Sequence, residues 1–312
     1  ETNPGLLVND CADFTADSVN TYFNVEYNRW YFITPLHDVA LDKVTHSANA
    51  SFVFRYYDGA ARATNGTGNS WKNVDTDTLR AGQGYIFQCN ANGTITLPAD
   101  AGAHPQVFAT TDVTMPLHAF EATSTANAGW NYVGNPYPAY FDIYYMDFTA
   151  PITVWADNTY RAYSIVDDKY ALRPMQAFFV QKPEAVDNII FHKEGRQLSS
   201  EIVVKATSPR MAPPAGASRH LFDIAITDGT YSDQTRVVVN PNALPGYERG
   251  CDASKFMSIN ADVPQVMTAD ADGNTYAINE RPVAAGATVA MGYKAAKAGF
   301  YTISVPRLDG TA

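Results

Sequence analysis

The 312-residue sequence is poor in charge. Asp, Glu, Lys and Arg make up 17% of it, against 46% hydrophobic and 12% aromatic residues. That balance excludes a disordered chain and argues against a long helical or coiled-coil one. Basic clusters are also missing. The net charge is −10 and the densest basic feature is the pair Lys294 and Lys297, so nucleic acid is not expected as the main partner. Cysteine is scarce: Cys11, Cys89 and Cys251 are far apart, show no C-x-x-C spacing and allow at most one disulfide. They read as small buried residues, and which of them pair, if any, stays open. No run approaches the ~18 apolar residues of a membrane span. No leader is visible, but the chain opens at Glu1 rather than Met, which suggests that a leader or upstream region has been removed.

Catalytic signatures are missing too. The six His (37, 46, 104, 118, 192 and 220) form no HxxxH or HExxH pattern, and no G-x-S-x-G elbow or Gly-rich phosphate loop occurs. Asp167-Asp168 would serve acid–base chemistry only opposite another acid, and reads as a solvated loop. The chain is therefore expected to be non-enzymatic and to need no cofactor.

What is present is a vocabulary of strands, with Val, Thr, Tyr and Phe filling the apolar runs. The chain also contains itself twice. "LRAGQGYIFQ" (79–88) aligns without a gap on "LRPMQAFFVQ" (172–181), which places Gln83 on Gln176. Upstream, "NRWYFITPLHDV" (28–39) faces "AGWNYVGNPYPA" (128–139), placing Trp30 on Trp130. Between these blocks, "SFVFRYYDGAARA" (51–63) and "ITVWADNTYRAYSI" (152–165) read as hairpins turning at Asp-Gly and Asp-Asn. Downstream, "GTITL" (93–97) faces "NIIFH" (188–192). Only 37–46 and 140–148 have room for a helical turn or two.

A different pattern begins after the Pro-, Ala- and Ser-rich stretch 205–218, which reads as a linker. "HLFDIAITDGTYSDQTRVVVNP" and "QVMTADADGNTYAIN" are both hairpins by their alternation and Asp-Gly turns. The expected architecture is all-β: a lead-in at 1–21, tandem homologous sandwich-like units at 22–106 and 107–204, the linker, and a separate, incomplete β-sandwich at 219–312. Leu308-Asp309-Gly310 looks like a turn whose return strand is missing. The 312 residues are accordingly expected to be a fragment, with residues outside it or a partner strand completing the last sandwich.

"GWNYVGNPYP" (129–138) followed by "RPMQAFFVQ" resembles a module of secreted and surface-exposed Bacteroidetes proteins. That module has Trp-Asn-x-x-Gly-Asn-Pro-Tyr-Pro before a Pro-x-Gln-Gly/Ala-Phe-Phe-Val strand. "PGYERGCDASKFMS" with "PQVMTADADGNTYAIN" is similar to its companion sandwich domain. The first copy departs from the pattern, with Thr34-Pro35-Leu36 where Gly-Asn-Pro-Tyr is expected. The resemblance implies export, often by the type nine secretion system, an outer-surface or extracellular location, and membership of a larger multidomain protein. It implies little about activity.

The candidate site residues are these. Trp30 and Trp130, retained while their loops differ, are expected in the cores, with Gln83 and Gln176 bonding neighbouring loop backbone and Asn135-Pro136 turning the chain. Copy two carries additional aromatics, and Trp155, Tyr160, Tyr163, Tyr144 and Tyr145 could form a platform for sugar rings. Asp270, Asp272 and Asn274 alternate like part of a calcium loop, against a plain hairpin turn. Asp17-Ser18-Val19 and Asp77-Thr78-Leu79 match the short O-glycan acceptor of Bacteroidetes exported proteins, making Ser18 and Thr78 candidate acceptors. The function expected is a cell-surface scaffold or adhesion module with a surface protein or glycan as partner. The alternative is a carbohydrate-binding accessory of a polysaccharide-degrading system.

Overall fold

A computed structural model describes residues 6–8, 10, 19–68, 70–98, 111–202, 219–282, 286, 288–295 and 297–309. The fold is all-β, as its composition requires. The segment 205–218, Cys11 and Ser18 lie outside the described residues. Cys89 and Cys251 carry free thiols.

The first copy is built on a four-stranded antiparallel sheet. Its strands are β1 (Trp30–Ile33), β2 (Phe52–Tyr57), β3 (Trp71–Asn73) and β4 (Tyr85–Cys89), in the order β1-β4-β2-β3. Between β2 and β3 lies α1 (Gly59–Asn65). The second copy repeats the sheet with β5 (Trp130–Gly134), β6 (Ile152–Ala156), β7 (Thr159–Tyr163) and β8 (Ala177–Gln181), in the order β5-β8-β6-β7. Register repeats as well: Trp30 lies opposite Gln88 and Trp130 opposite Gln181. The smaller sheets match too. Asn20–Val25, Gly93–Pro98 and Thr45–His46 correspond to Val113–Pro116, Asn188–Phe191 and Met146–Asp147. Single 3-10 turns stand at Leu41–Lys43 and Ile143–Tyr145, the two places where the sequence allows helix.

The copies differ at Asp58-Gly59, where the sequence predicts the turn of a hairpin over 51–63. Asp-Gly begins a helix there: the Asp58 side chain accepts from Ala61 N–H, an N-cap, and three alanines propagate the turn. In copy two the turn is a tight one. Asp157 and Asn158 both take positive φ (51° and 63°) between the paired residues Ala156 and Thr159.

The last unit is one curled sheet. Its strands are β9 (His220–Thr227), β10 (Ser232–Val239), β11 (Ala253–Ser254), β12 (Gln265–Ala269), β13 (Thr275–Arg281), β14 (Ala290–Lys294) and β15 (Thr302–Asp309). Their order is β14-β12-β13-β10-β9-β15, with β11 also on β13. The β9–β10 and β12–β13 hairpins turn at Asp228-Gly229 and at 270–274, as their Asp-Gly signatures require.

Candidate functional site

The two repeats meet through reciprocal backbone pairing. Ile33 of copy one bridges Gln176 of copy two, and Val133 of copy two bridges Gln83 of copy one. Because Ile33 corresponds to Val133 and Gln83 to Gln176, the contact has approximate two-fold character. Thr34 N–H donates to Met175 O at 2.9 Å and Gly84 N–H to Tyr132 O at 2.8 Å. Two glycines permit this approach. A Cβ on Gly84 would fall 2.4 Å from the Tyr132 ring, and one on Gly134 2.3 Å from Thr34 Cγ2.

Aromatic rings fill the space between the sheets. Phe179 receives Tyr57 edge-on at 4.8 Å and Trp71 at 5.9 Å, both from copy one. Trp71 also meets Tyr132 edge-on at 5.2 Å, and Phe32 stacks on Trp155 at 5.1 Å. Phe256 of the last unit stacks on Phe179 at 4.7 Å and meets Trp130 edge-on at 5.0 Å. The Arg62 guanidinium of α1 lies over both Trp130 and Phe256. One aromatic layer therefore touches all three units; of the extra aromatics of copy two it takes Trp155 and Tyr160, while Tyr144, Tyr145, Tyr163 and Tyr170 pack with copy two's own core.

The sugar-platform residues are not gathered on an exposed face. Tyr160 and Tyr145 are buried, while Trp155, Tyr163 and Tyr144 are half-buried. Trp155 is held by Phe32 and Tyr160, Tyr163 stacks on Tyr170 at 4.1 Å, and Tyr144 meets Tyr145 edge-on. Burial pushes the hydroxyls of Tyr160 and Tyr163 above the usual phenol range.

Trp130 is buried and its Nε1–H donates to Ala126 O at 2.9 Å. Trp30 departs from expectation: it is only half-buried at the rim of the layer, under the Arg55 guanidinium. Gln176 Oε1 accepts from Arg173 N–H at 2.9 Å, and its amide also bonds Tyr170 Oη. Gln83 takes part through its backbone bridge to Val133. Asn135 is fully buried. Its Nδ2 donates to Ala139 O and Arg173 O, and its Oδ1 accepts from Tyr137 N–H, fixing the turn through Pro136. Tyr137 Oη then donates to Phe191 O at 2.8 Å, tying that corner to the neighbouring sheet. The Asn-Pro-Tyr corner is thus a folding device. Copy one has Pro35 in place of the Asn and lacks these side-chain bonds.

Of the oxygens proposed for calcium, those of Asp270 are engaged by the turn itself. Asp270 Oδ1 accepts from Asp272 and Asn274 N–H, and Oδ2 from Asn274 Nδ2 and Tyr276 Oη. Despite partial burial, these bonds hold the Asp270 carboxyl below its ordinary value. Another grouping, Asp112, His192 and Glu194, brings ligand-type atoms within 4.8 Å. There His192 Nδ1 already pairs with Asp112 Oδ2 at 2.9 Å, and Lys193 N–H donates to Asp112 Oδ1. Thr78 is half-buried in the short strand Thr78–Leu79, paired with Val39–Ala40.

Asp167 and Asp168, read as a solvated loop, are instead nearly buried. Arg219 binds Asp167 at 2.7 Å and Glu280 at 2.7 Å. Arg236 forks onto Asp168 at 2.8 and 2.9 Å, and its Nε reaches Asp223 at 2.5 Å. Arg307 adds a contact to Asp168 at 3.3 Å. Burial alone would lower the Arg236 guanidinium, but hydrogen bonds and charge from Asp223 and Asp168 raise it above its ordinary value. The paired aspartates are thus the anchor of copy two for the last unit. Nothing in their spacing announces this, because every charged partner lies more than fifty residues away.

No family model matches the chain, and neither the curated proteins nor the solved structures contain a match to it.

Proposed function

We propose that this chain is a non-enzymatic scaffold region of a larger exported, surface-located protein, holding adhesive or other domains in a fixed arrangement. The observation that carries this reading is the aromatic layer centred on Phe179, which ties two repeats and the last unit together. Of the rings that glycan recognition would need on the surface, Trp155 and Tyr160 pack between units, and Tyr163, Tyr144 and Tyr145 pair within copy two. The charged residues of copy two behave alike, since Asp167 and Asp168 are held by arginines of the neighbouring unit. The surface location rests on the motif resemblance of 129–138 and 172–181.

Two measurements test the reading. Antibody raised against the chain should label intact cells that make it as strongly as permeabilised ones; labelling only after permeabilisation contradicts a surface location. On a glycan array and in affinity gels the chain should show no retention. Retention by one glycan class would favour the carbohydrate-binding alternative.

A further inference from the structure

The last sheet ends in two strands whose outer edges have no partner among the described residues: β14 and β15. Both continue a face that is core elsewhere. Residues paired across strands share a face. Tyr293 lies opposite Val266 and Met291 opposite Thr268, and Ile303 lies opposite Ile226. Val266 is 0% and Ile226 1% exposed, whereas Tyr293 is 63% exposed and Met291 and Ile303 are also exposed. Val305, two residues along from Ile303, and Leu308, opposite Phe222, are exposed as well, and Phe300 is 99% exposed. The inner face of the sheet thus runs out, uncovered, onto both of its edge strands.

An unpaired edge specifies its complement. Its free N–H and C=O groups take an extended strand, and an apolar face takes residues at every second position of that strand. Of the two edges, β14 is the better template, because Pro306 removes one N–H from β15. Charge narrows the partner further. Between 282 and 300 the charged residues are Lys294, on β14 itself, and Lys297, which also faces Asp228 at 3.8 Å, with no acid in that stretch of a chain of net charge −10; Arg307 is already engaged by Asp168 and Asp309. A second copy offers the same basic segment to itself, which is repulsive; an acidic strand is complementary.

We propose that the free edge of β14 takes up an extended acidic strand, apolar at alternate positions, from a partner protein. The bound strand covers Met291 and Tyr293. This names a partner chemistry for the scaffold reading and rests on it; cell-surface labelling and strand binding are separate readouts, so either can fail alone.

The test uses the whole chain and three fluorescent peptides of about nine residues, a usual strand length. One alternates Val or Ile with Asp or Glu, one has the same composition in two blocks, and one alternates with Lys in place of the acids. The alternating acidic peptide should raise anisotropy and slow hydrogen exchange at 290–294, with the other two about tenfold weaker or worse. Tyr293→Lys should weaken binding by about tenfold. Because Tyr293 is exposed, its thermal unfolding should match the parent chain, and Met291→Lys supplies a second variant. Equal binding of all three peptides, binding of none, or a dimer in light scattering with β14 amides already protected would overturn the proposal.

Discussion

The two junctions of this molecule share one aromatic layer but differ in how much charge they hold. Copy one meets copy two through rings and reciprocal backbone bridges, with Arg62 the main charge nearby. Copy two meets the last unit through Phe256, packed on Phe179 and Trp130, and in addition through a network of three arginines and four carboxylates. Duplication explains the difference. Related units present matching faces to each other, so equivalent residues can pair reciprocally, as Ile33–Gln176 and Val133–Gln83 do. An unrelated unit has no such match, and directional charge pairs fix its orientation instead.

The first way to break this comparison is Phe179→Ala. The ring is buried and touches residues of all three units, so its removal should cost about 3–5 kcal/mol in denaturant unfolding. The loss should be nearly independent of salt. Arg236→Met should cost roughly as much, about 3–5 kcal/mol, because Asp168 and Asp223 remain buried without their partner. Here hydrogen exchange should rise first in the last unit and at 164–168, leaving the repeat junction protected. If Arg236→Met also exposes the repeat junction, or Phe179→Ala leaves it protected, the two junctions are not distinct.

The paired glutamines sharpen the comparison within the repeats. Gln176→Leu removes the acceptor for Arg173 N–H and should cost about 1–3 kcal/mol. Gln83→Leu, at the equivalent position, should cost less than about 1 kcal/mol, since its contribution is a backbone bridge. Equal losses would mean that the copies use this residue alike.

A further effect should separate the units by pH. Burial pushes the Asp252 carboxyl up to about 7, although Glu248 and Glu280 N–H groups donate to it. A raised carboxylate makes the unfolded chain bind fewer protons than the folded one between about pH 4 and 7. Its contribution to stability is therefore full below about pH 4 and declines as pH rises towards 7. Asp252→Asn should flatten this decline for the last unit while leaving the repeats unchanged. An unaltered pH slope would show that Asp252 is not its source.

Local and repeated signals were legible in the sequence. The gapless match of 79–88 to 172–181 anticipates the common register of β4 and β8, because buried strands tolerate no slip. Asp157-Asn158 announces its tight turn. Asp58-Gly59 misleads, because Asp serves as well for an N-cap as for a turn, and only the following alanines tip the balance to helix. The exposure of the aromatics was not legible: a Tyr- and Trp-rich strand looks the same whether its open face meets a sugar or a sister sheet. Nor was the role of Asp167 and Asp168, which is defined by Arg219, Arg236 and Arg307 across the fold.

Native-state hydrogen exchange across a denaturant series tests most directly whether the aromatic layer joins the two repeats into one cooperative body. The amides of β4 (85–89) and β8 (177–181) are the ones to follow, since these are the central strands of the paired sheets. The account predicts that both strands open in one transition with the same denaturant dependence, and that Phe179→Ala splits it in two. Separate opening of β4 and β8 in the unaltered chain would contradict it.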